Sequence, residues 1–319
     1  MFERYQQLQR ELERNPVEFL GRRFAELTGE ARATLAAFVG ARADDLVFVP
    51  NATSGLNAVI RSLRLEPGDE VLTTRHEYGA VIRTWEFVGA QLVYAEPGEL
   101  AGAIGPRTKA VSVSHITSPT ALVLPVEEIC AAAREAGVLS IVDGAHVPGQ
   151  LPLDLERLGA DVYAGNCHKW LCAPKGSAFL WARPEHQRWI DPLVVSWGYG
   201  ADTSFAERHG WQGTRDPAAV LAVPAAIEAH GVLDLEGCRR LAASFHDRLP
   251  PVGTTPAPQM WASEIDTPDP GALQRRLFDE HRIEVVVQKW EGRSLLRVSI
   301  GPYNEAADVE RLLDALRAG

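Results

Sequence analysis

The feature that most narrows the fold is a pattern repeated over the first 170 residues. A short apolar run is followed by a small polar cluster and then by a stretch long enough for a helix. Leu46-Val47-Phe48-Val49 leads into Asn51-Ala52-Thr53-Ser54-Gly55, and Glu70 to Thr74 leads into Arg75-His76-Glu77-Tyr78. Ala110 to Ser114 leads into His115-Ile116-Thr117-Ser118, and Leu139-Ser140-Ile141-Val142 into Asp143-Gly144-Ala145-His146. Gln91 to Tyr94 is a further strand candidate. Strands that alternate with helices form a mostly parallel sheet, and such sheets carry their active groups at the strand C-terminal ends. The clusters at 52–55, 75–78, 114–118, 143–146 and 166–169 are therefore expected along one edge. After the turn Ala173-Pro174-Lys175-Gly176, the run Ser177 to Trp181 reads as a strand returning antiparallel.

The flanks read differently. Residues 1 to about 40 have helical spacing of Phe19, Leu20, Phe24, Leu27, Leu35 and Phe38, interrupted at Asn15-Pro16. Residues 194 to 213 form a long loop rich in Gly and Trp, of the kind that usually carries function. Beyond it we expect helices at 218–230, 234–249, 271–281 and 305–317 and strands at 259–264, 283–287 and 295–300. The expected division is a large α/β domain over 15–217, joined by a helix at 1–14, and a smaller α+β domain over 218–319.

Composition excludes several classes. The net charge of −10 argues against nucleic acid or an anionic membrane as partner, because both demand basic patches. Cys130, Cys167, Cys172 and Cys238 include no CxxC pair and no zinc spacing, so no metal is expected. His76-Glu77 starts like a zinc-protease motif, but position 80 is alanine. No GxGxxG follows the first strand, which removes a nucleotide-dependent oxidoreductase. The polar N-terminus and the lack of any apolar run near the roughly 18 residues of a membrane span predict a cytoplasmic protein.

Within the strand-end clusters, Asp143 and Lys169 stand out. The interval between them has room for one crossover helix and one strand, so both side chains can reach one sheet edge. A lysine that forms an imine and a carboxylate that keeps a pyridine nitrogen protonated are the pair required by pyridoxal phosphate (PLP) chemistry. Taken singly, a solvated lysine and a helix-capping aspartate are equally ordinary readings. Lys169 lies among Gly165, Cys167, Trp170 and Leu171, a setting a charged amine normally avoids. The turn at 51–55 opens a helix and suits either a phosphate or a plain cap by Asn51 or Thr53. His76 at its strand end suits either stacking on a flat cofactor or a place at the surface.

Together these residues resemble the class V aminotransferases of PLP fold type I, and within them the isopenicillin N epimerase-like and cysteine desulfurase-like enzymes. The resemblance runs from about residue 15 to 304. It is carried by Asn15-Pro16-Val17-Glu18-Phe19, Asn51-Ala52-Thr53-Ser54-Gly55, His76-Glu77-Tyr78, Ser114-His115-Ile116-Thr117-Ser118, Asp143-Gly144-Ala145-His146, His168-Lys169-Trp170, Gly213-Thr214 and Arg297-Val298-Ser299. It implies a PLP enzyme in which Lys169 binds the cofactor covalently and then shuttles the Cα proton. Asp143 would pair with the pyridine nitrogen, His146 would bond the phenolic oxygen, and His76, or Tyr78 in its place, would stack on the ring. Ala52 and Thr53 would hold the phosphate, with Asn166 and His168 alongside. Thr214 would reach the phosphate of a neighbouring subunit in a homodimer, and Arg297 would take the carboxylate of an amino-acid substrate.

Epimerisation, β-elimination by a C–S lyase and transamination share most of these residues, and a PLP-fold protein kept only for binding is a further alternative. The second acid an epimerase needs is not identifiable in the sequence; His115, Tyr78 and a cysteine near Lys169 are candidates. Two departures from the family stand out. A segment with an Asn-His-Gly-Ser-type turn, usual at the start of relatives, is not seen, and no cysteine lies between Ile283 and Arg297 to accept sulfur. The 250–270 region also looks trimmed.

Overall fold

A computed structural model describes residues 1–317. The chain divides into two compact units, one of Met1–His115 with Pro125–Val232 and one of Ile116–Leu124 with Leu233 onward. The helices between 218 and 230 thus belong to the larger unit rather than opening the smaller one at 218.

The larger unit is built on a seven-stranded sheet. Its strands are β1 (Leu46–Val49), β2 (Glu70–Thr73), β3 (Gln91–Tyr94), β4 (Thr108–Ser114), β5 (Leu139–Gly144), β6 (Val162–Asn166) and β7 (Ala178–Ala182). They lie in the order β1-β7-β6-β5-β4-β2-β3. The contacts β6–β5–β4–β2–β3 are parallel, and β7 pairs antiparallel with both β6 and β1. β1 therefore points the same way as the parallel strands, so its C-terminal end falls on the same edge as theirs. The expected mostly parallel sheet and the antiparallel return at 177–181 are both present.

The central strands are buried along their length, as befits a sheet with helices on both faces. Val47, Leu56, Ile60, Trp85, Ile141, Val162 and Leu180 share one core. Close packing leaves no room beside two strand glycines. A Cβ on Gly144 would lie 2.0 Å from the Tyr163 ring, and one on Gly165 would lie 2.6 Å from that of Phe179. The helix after β1 begins at Ala52, earlier than its apolar spacing suggests, because Asn51 Oδ1 accepts the Ser54 N–H at 2.8 Å and nucleates the first turn inside the polar cluster.

The smaller unit holds an antiparallel sheet of β8 (Met260–Glu264), β9 (Val286–Trp290) and β10 (Arg293–Ser299) in the order β8-β10-β9. Phe245, Trp261, Leu277, Leu296, Val298 and Leu312 form its core. The strand expected at 283–287 starts later because the preceding helix ends in a left-handed Arg282 (φ 54°) and the Ile283 N–H returns to Leu277 O at 3.0 Å. The helix expected to run to 249 stops at Ala243 and gives way to short turns. Residues 116–124 join this unit through Val123 N–H to Thr255 O and Ala257 N–H to Ala121 O, both 2.8 Å. Among the described residues no single helix is long and apolar enough to cross a membrane.

Candidate active site

Adjacent parallel strands bring the central pair together. Asp143 on β5 is in register with Ala164 on β6, and β6 ends at Asn166. The chain then makes a tight loop in which the Cys167 and His168 N–H groups both donate to Ser177 O and the Cys172 N–H donates to Lys169 O. Lys169 projects from this loop, and its Nζ stands 2.9 Å from His146 Nε2, three residues past Asp143 on the neighbouring strand end. Trp170 Nε1 donates to His146 Nδ1 at 3.2 Å, and Gln150 Nε2 donates to the His146 carbonyl at 2.8 Å.

Asp143 accepts the Ala145 N–H at 2.9 Å. Burial pushes its carboxyl above the usual carboxylate range, while that hydrogen bond and the charge of Lys169 pull it back. A positive charge brought against this carboxyl would favour its ionised form further.

At the start of the 52–62 helix, Asn166 Oδ1 accepts the Ala52 N–H at 2.8 Å. With Ser54 N–H held by Asn51, the N–H and hydroxyl of Thr53 are the donors this turn presents at the helix N-terminus. His168 is tied through Nδ1 to Ser177 O at 2.9 Å, and Lys175 Nζ donates to the His168 carbonyl at 3.1 Å. Burial lowers the His168 pKa, as do the nearby charges of Lys175 and Lys169. His76 is buried at the end of β2 with its N–H on Thr74 Oγ1 at 3.1 Å, whereas Tyr78 is 47% exposed. Thr214 is exposed and follows Gly213, whose φ of 96° makes glycine the natural residue there.

The smaller unit contains Arg297 on β10, whose Nη1 donates to Ser118 Oγ at 2.9 Å and to the Ser118 carbonyl. The sequence signature Ser114 to Ser118 is thus split: Ser114 and His115 belong to the larger unit and Ser118 to the smaller.

Three residues gained significance only from the structure. Glu77 is buried, accepting from Thr74 Oγ1 at 2.7 Å and Ser114 Oγ at 2.6 Å. Its pKa rises from 4.5 to about 7; burial is the main cause, those two hydrogen bonds oppose it, and the Asp143 charge adds to it. Tyr163 is fully buried, with its hydroxyl 3.1 Å from His115 Nδ1 and its ring stacked on Phe179. The third is Trp170, whose indole N–H reaches His146. A glutamate directly after an apolar strand and a tyrosine inside one were the available signals.

The candidates for a second acid sort by environment. Burial lowers the His115 pKa to about 4 and pushes the Cys167 thiol well above its usual range. Cys172 is exposed and takes a positive φ of 56°.

A lysine and a buried acid joined by neighbouring ends of a mostly parallel sheet, with a helix N-terminus beside them, is the layout of a PLP-dependent enzyme. The model for aminotransferase class-V matches residues 1–249, and the chain belongs to that family. It is 34% identical to isopenicillin N epimerase of Streptomyces clavuligerus, over 99% of this chain and 90% of that protein. It is 36% identical to the enzyme of the same name from Amycolatopsis lactamdurans, over 95% and 87%. A putative L-cysteine desulfhydrase of Oryza sativa subsp. japonica is 31% identical over 75% of this chain and 55% of its own length. Among solved structures, the cystine C–S lyase C-DES in complex with cysteine persulfide superimposes with a TM-score of 0.85 at 24% identity, covering 99% of this chain and 93% of that one. A variant of C-DES with glycine covalently linked to the PLP cofactor gives 0.84 at the same identity, over 99% and 92%. The cofactor of this family of enzymes is pyridoxal 5'-phosphate.

Proposed function

We propose that the protein acts at the Cα of an amino acid or amino-acid-derived substrate, in the manner of an isopenicillin N epimerase. The observation that carries the reading is the placement of Lys169 Nζ 2.9 Å from His146 Nε2, beside the buried Asp143. This donor set fits PLP: a primary amine for its aldehyde, a carboxyl for its ring nitrogen, an imidazole for its phenolic oxygen, and the N–H and hydroxyl of Thr53 for its phosphate. When bound, the cofactor makes the substrate Cα–H acidic by accepting its electron pair into the ring.

The residues then divide the work. Lys169 would hold the cofactor through its amine, and the same amine would remove or return the substrate Cα proton from its own face. Asp143 would pair with the protonated ring nitrogen, which would favour its ionised form, and His76 would lie against the ring. Asn166 fixes the start of the phosphate-facing helix by binding Ala52 N–H, and His168 stands next to it. Arg297, already oriented by Ser118, offers a planar guanidinium suited to a carboxylate. Thr214, exposed after Gly213, serves the phosphate of a second copy, so the working form is a homodimer.

β-Elimination by a C–S lyase is the second reading, supported by the identity to the rice desulfhydrase. After PLP is added and the excess removed by gel filtration, the protein should retain a near-visible absorbance band that Lys169→Ala lacks; a protein that retains no band would sink both readings. Amino acids are then screened in deuterium oxide. Exchange at Cα with loss of chirality supports the epimerase, whereas release of sulfide and a keto acid supports the lyase.

A further inference from the structure

The indole of Trp170 touches the candidate site in a way that the roles above do not use. Its Nε1 points at His146 Nδ1 across 3.2 Å. An indole nitrogen only donates, and so does a protonated lysine amine, so in the cofactor-free protein the two compete for the single lone pair of a neutral His146. With the Lys169 nitrogen committed to the cofactor it would no longer present an ammonium to Nε2, so His146 Nδ1 would accept from Trp170 and the ring proton would reside on Nε2. Nε2 is the atom that stands 2.9 Å from Lys169 Nζ. Which ring nitrogen faces the reacting amine with a proton is thus decided on the opposite side of the ring. A neutral histidine whose other nitrogen is fixed by a partner has a defined tautomer, a familiar way of setting its chemistry.

The backbone is built to hold this contact. Gly149 has a φ of 90°, and a Cβ there would lie 2.5 Å from both the Trp170 carbonyl carbon and the Leu171 nitrogen. The loop carrying Trp170 therefore presses directly on the turn that follows His146. Gln150 Nε2 holds the His146 carbonyl at 2.8 Å, and His230 Nε2 lies 2.8 Å from the Gly149 carbonyl. Register between the two loops is set at both backbone and side chain.

We propose that Trp170 is a positioning residue that locks His146 in its Nε2–H tautomer, so that His146 presents a donor toward Lys169 and toward the cofactor oxygen bound beside it. This rests on the assignment of Lys169 and His146 to the cofactor, and the tautomer is read separately from activity. Without the indole, Nδ1 loses its donor and the ring is free to populate the other tautomer, or to turn.

The test uses Trp170→Phe, which keeps an aromatic ring and removes the N–H. In protein labelled with nitrogen-15 at histidine, the His146 resonances, assigned by their loss in His146→Gln, should show a pyrrole-type Nε2 and a pyridine-type Nδ1 once PLP is bound. In Trp170→Phe the ratio of tautomers should move toward Nδ1–H by roughly two- to ten-fold, the equivalent of one ordinary hydrogen bond. With PLP bound, the pH midpoint of the absorbance band should shift in Trp170→Phe, while the same substitution made in a His146→Gln background should leave that midpoint where His146→Gln alone puts it. A wild-type His146 carrying its proton on Nδ1, or a Trp170→Phe spectrum with the tautomer ratio unchanged, overturns the inference. A Trp170 effect on the midpoint that persists in the His146→Gln background also overturns it, because the indole would then act by another route. A protein that binds no PLP overturns the functional reading and the lock together, whereas an unchanged tautomer ratio in the PLP-loaded protein overturns the lock alone.

Discussion

Replacing Glu77 by glutamine should make the protein more stable at alkaline pH, against the usual expectation for loss of two short hydrogen bonds. Glu77 is 8% exposed, accepts from Thr74 Oγ1 and Ser114 Oγ, and shares its pocket with the charge of Asp143. Its pKa in the folded protein is about 7 rather than 4.5. The folded state therefore binds the proton more tightly than the unfolded chain, and the sign follows from that difference. Below about pH 4.5 both states are protonated and the group contributes nothing. Between 4.5 and 7 the unfolded chain releases its proton first, so stability falls as pH rises, and above 7 the whole penalty is present. At about 1.4 kcal/mol per pH unit, the penalty is of order 3 kcal/mol.

Glutamine carries no charge, and its carbonyl and amide can still meet the two hydroxyls, since each hydroxyl can donate or accept. The assay is thermal unfolding of the cofactor-free wild type and Glu77→Gln from pH 5 to pH 8.5, following the transition of the larger unit. The variant should be equal to or below the wild type at pH 5 and should gain on it through neutrality. At roughly 2 °C per kcal/mol for a domain this size, the gain amounts to several degrees. Taking the difference between the two proteins at each pH cancels the other titrating groups they share. A difference that stays flat across the range, or a variant that loses ground at pH 8, would refute the burial argument and place Glu77 in the ionised form throughout.

Two further outcomes are expected. Asn166→Ala should leave the buried Ala52 N–H unpaired, costing about 1–3 kcal/mol in urea-induced unfolding and weakening PLP binding measured by absorbance titration. Mixing Lys169→Ala and Thr214→Ala proteins under conditions of subunit exchange should restore activity that neither has alone. Each mixed dimer then contains one site with an intact lysine and the intact threonine of the other copy, whereas no recovery would place Thr214 in the site of its own subunit.

The strand pattern was legible because each strand of a parallel sheet is a short apolar run, and the clusters at 52–55, 75–78, 143–146 and 166–169 follow such runs directly. Asp143 and Lys169 could be paired from the interval between them. The tautomer contact of Trp170 could not, because it depends on the left-handed turn at Gly149 that lets two loops touch. The protonation of Glu77 was hidden for a related reason: its pKa is raised chiefly by burial, and it is buried against Ser114 and Asp143 only through the pairing of β2, β4 and β5. Residues 116–124 follow β4 in the chain yet pair with Thr255 and Ala257, a long-range choice that no local pattern announces. The late start of β9 had the same origin, a helix end capped by a left-handed Arg282 in place of an immediate strand.

The epimerase and lyase readings diverge on proton supply. An epimerase must handle a proton on both faces of Cα, and the role proposed for Lys169 covers one. His115 is a poor second acid, since its pKa of about 4 leaves it neutral near pH 7 and its Nδ1 is engaged with the Tyr163 hydroxyl. Tyr163 is itself buried, with its hydroxyl pushed above the usual tyrosine range, and the Cys167 thiol is pushed up likewise. Of the candidates considered from the sequence, Tyr78 is exposed; it lies past the end of β2, at the N-cap position of the helix that follows. β-Elimination makes no such demand at Cα, because its leaving group departs from Cβ after a single proton is removed from Cα. Chirality at an exchanged Cα therefore reports on more than a product: its loss requires a second proton route past these neutral groups, and its retention during exchange means that one base works alone.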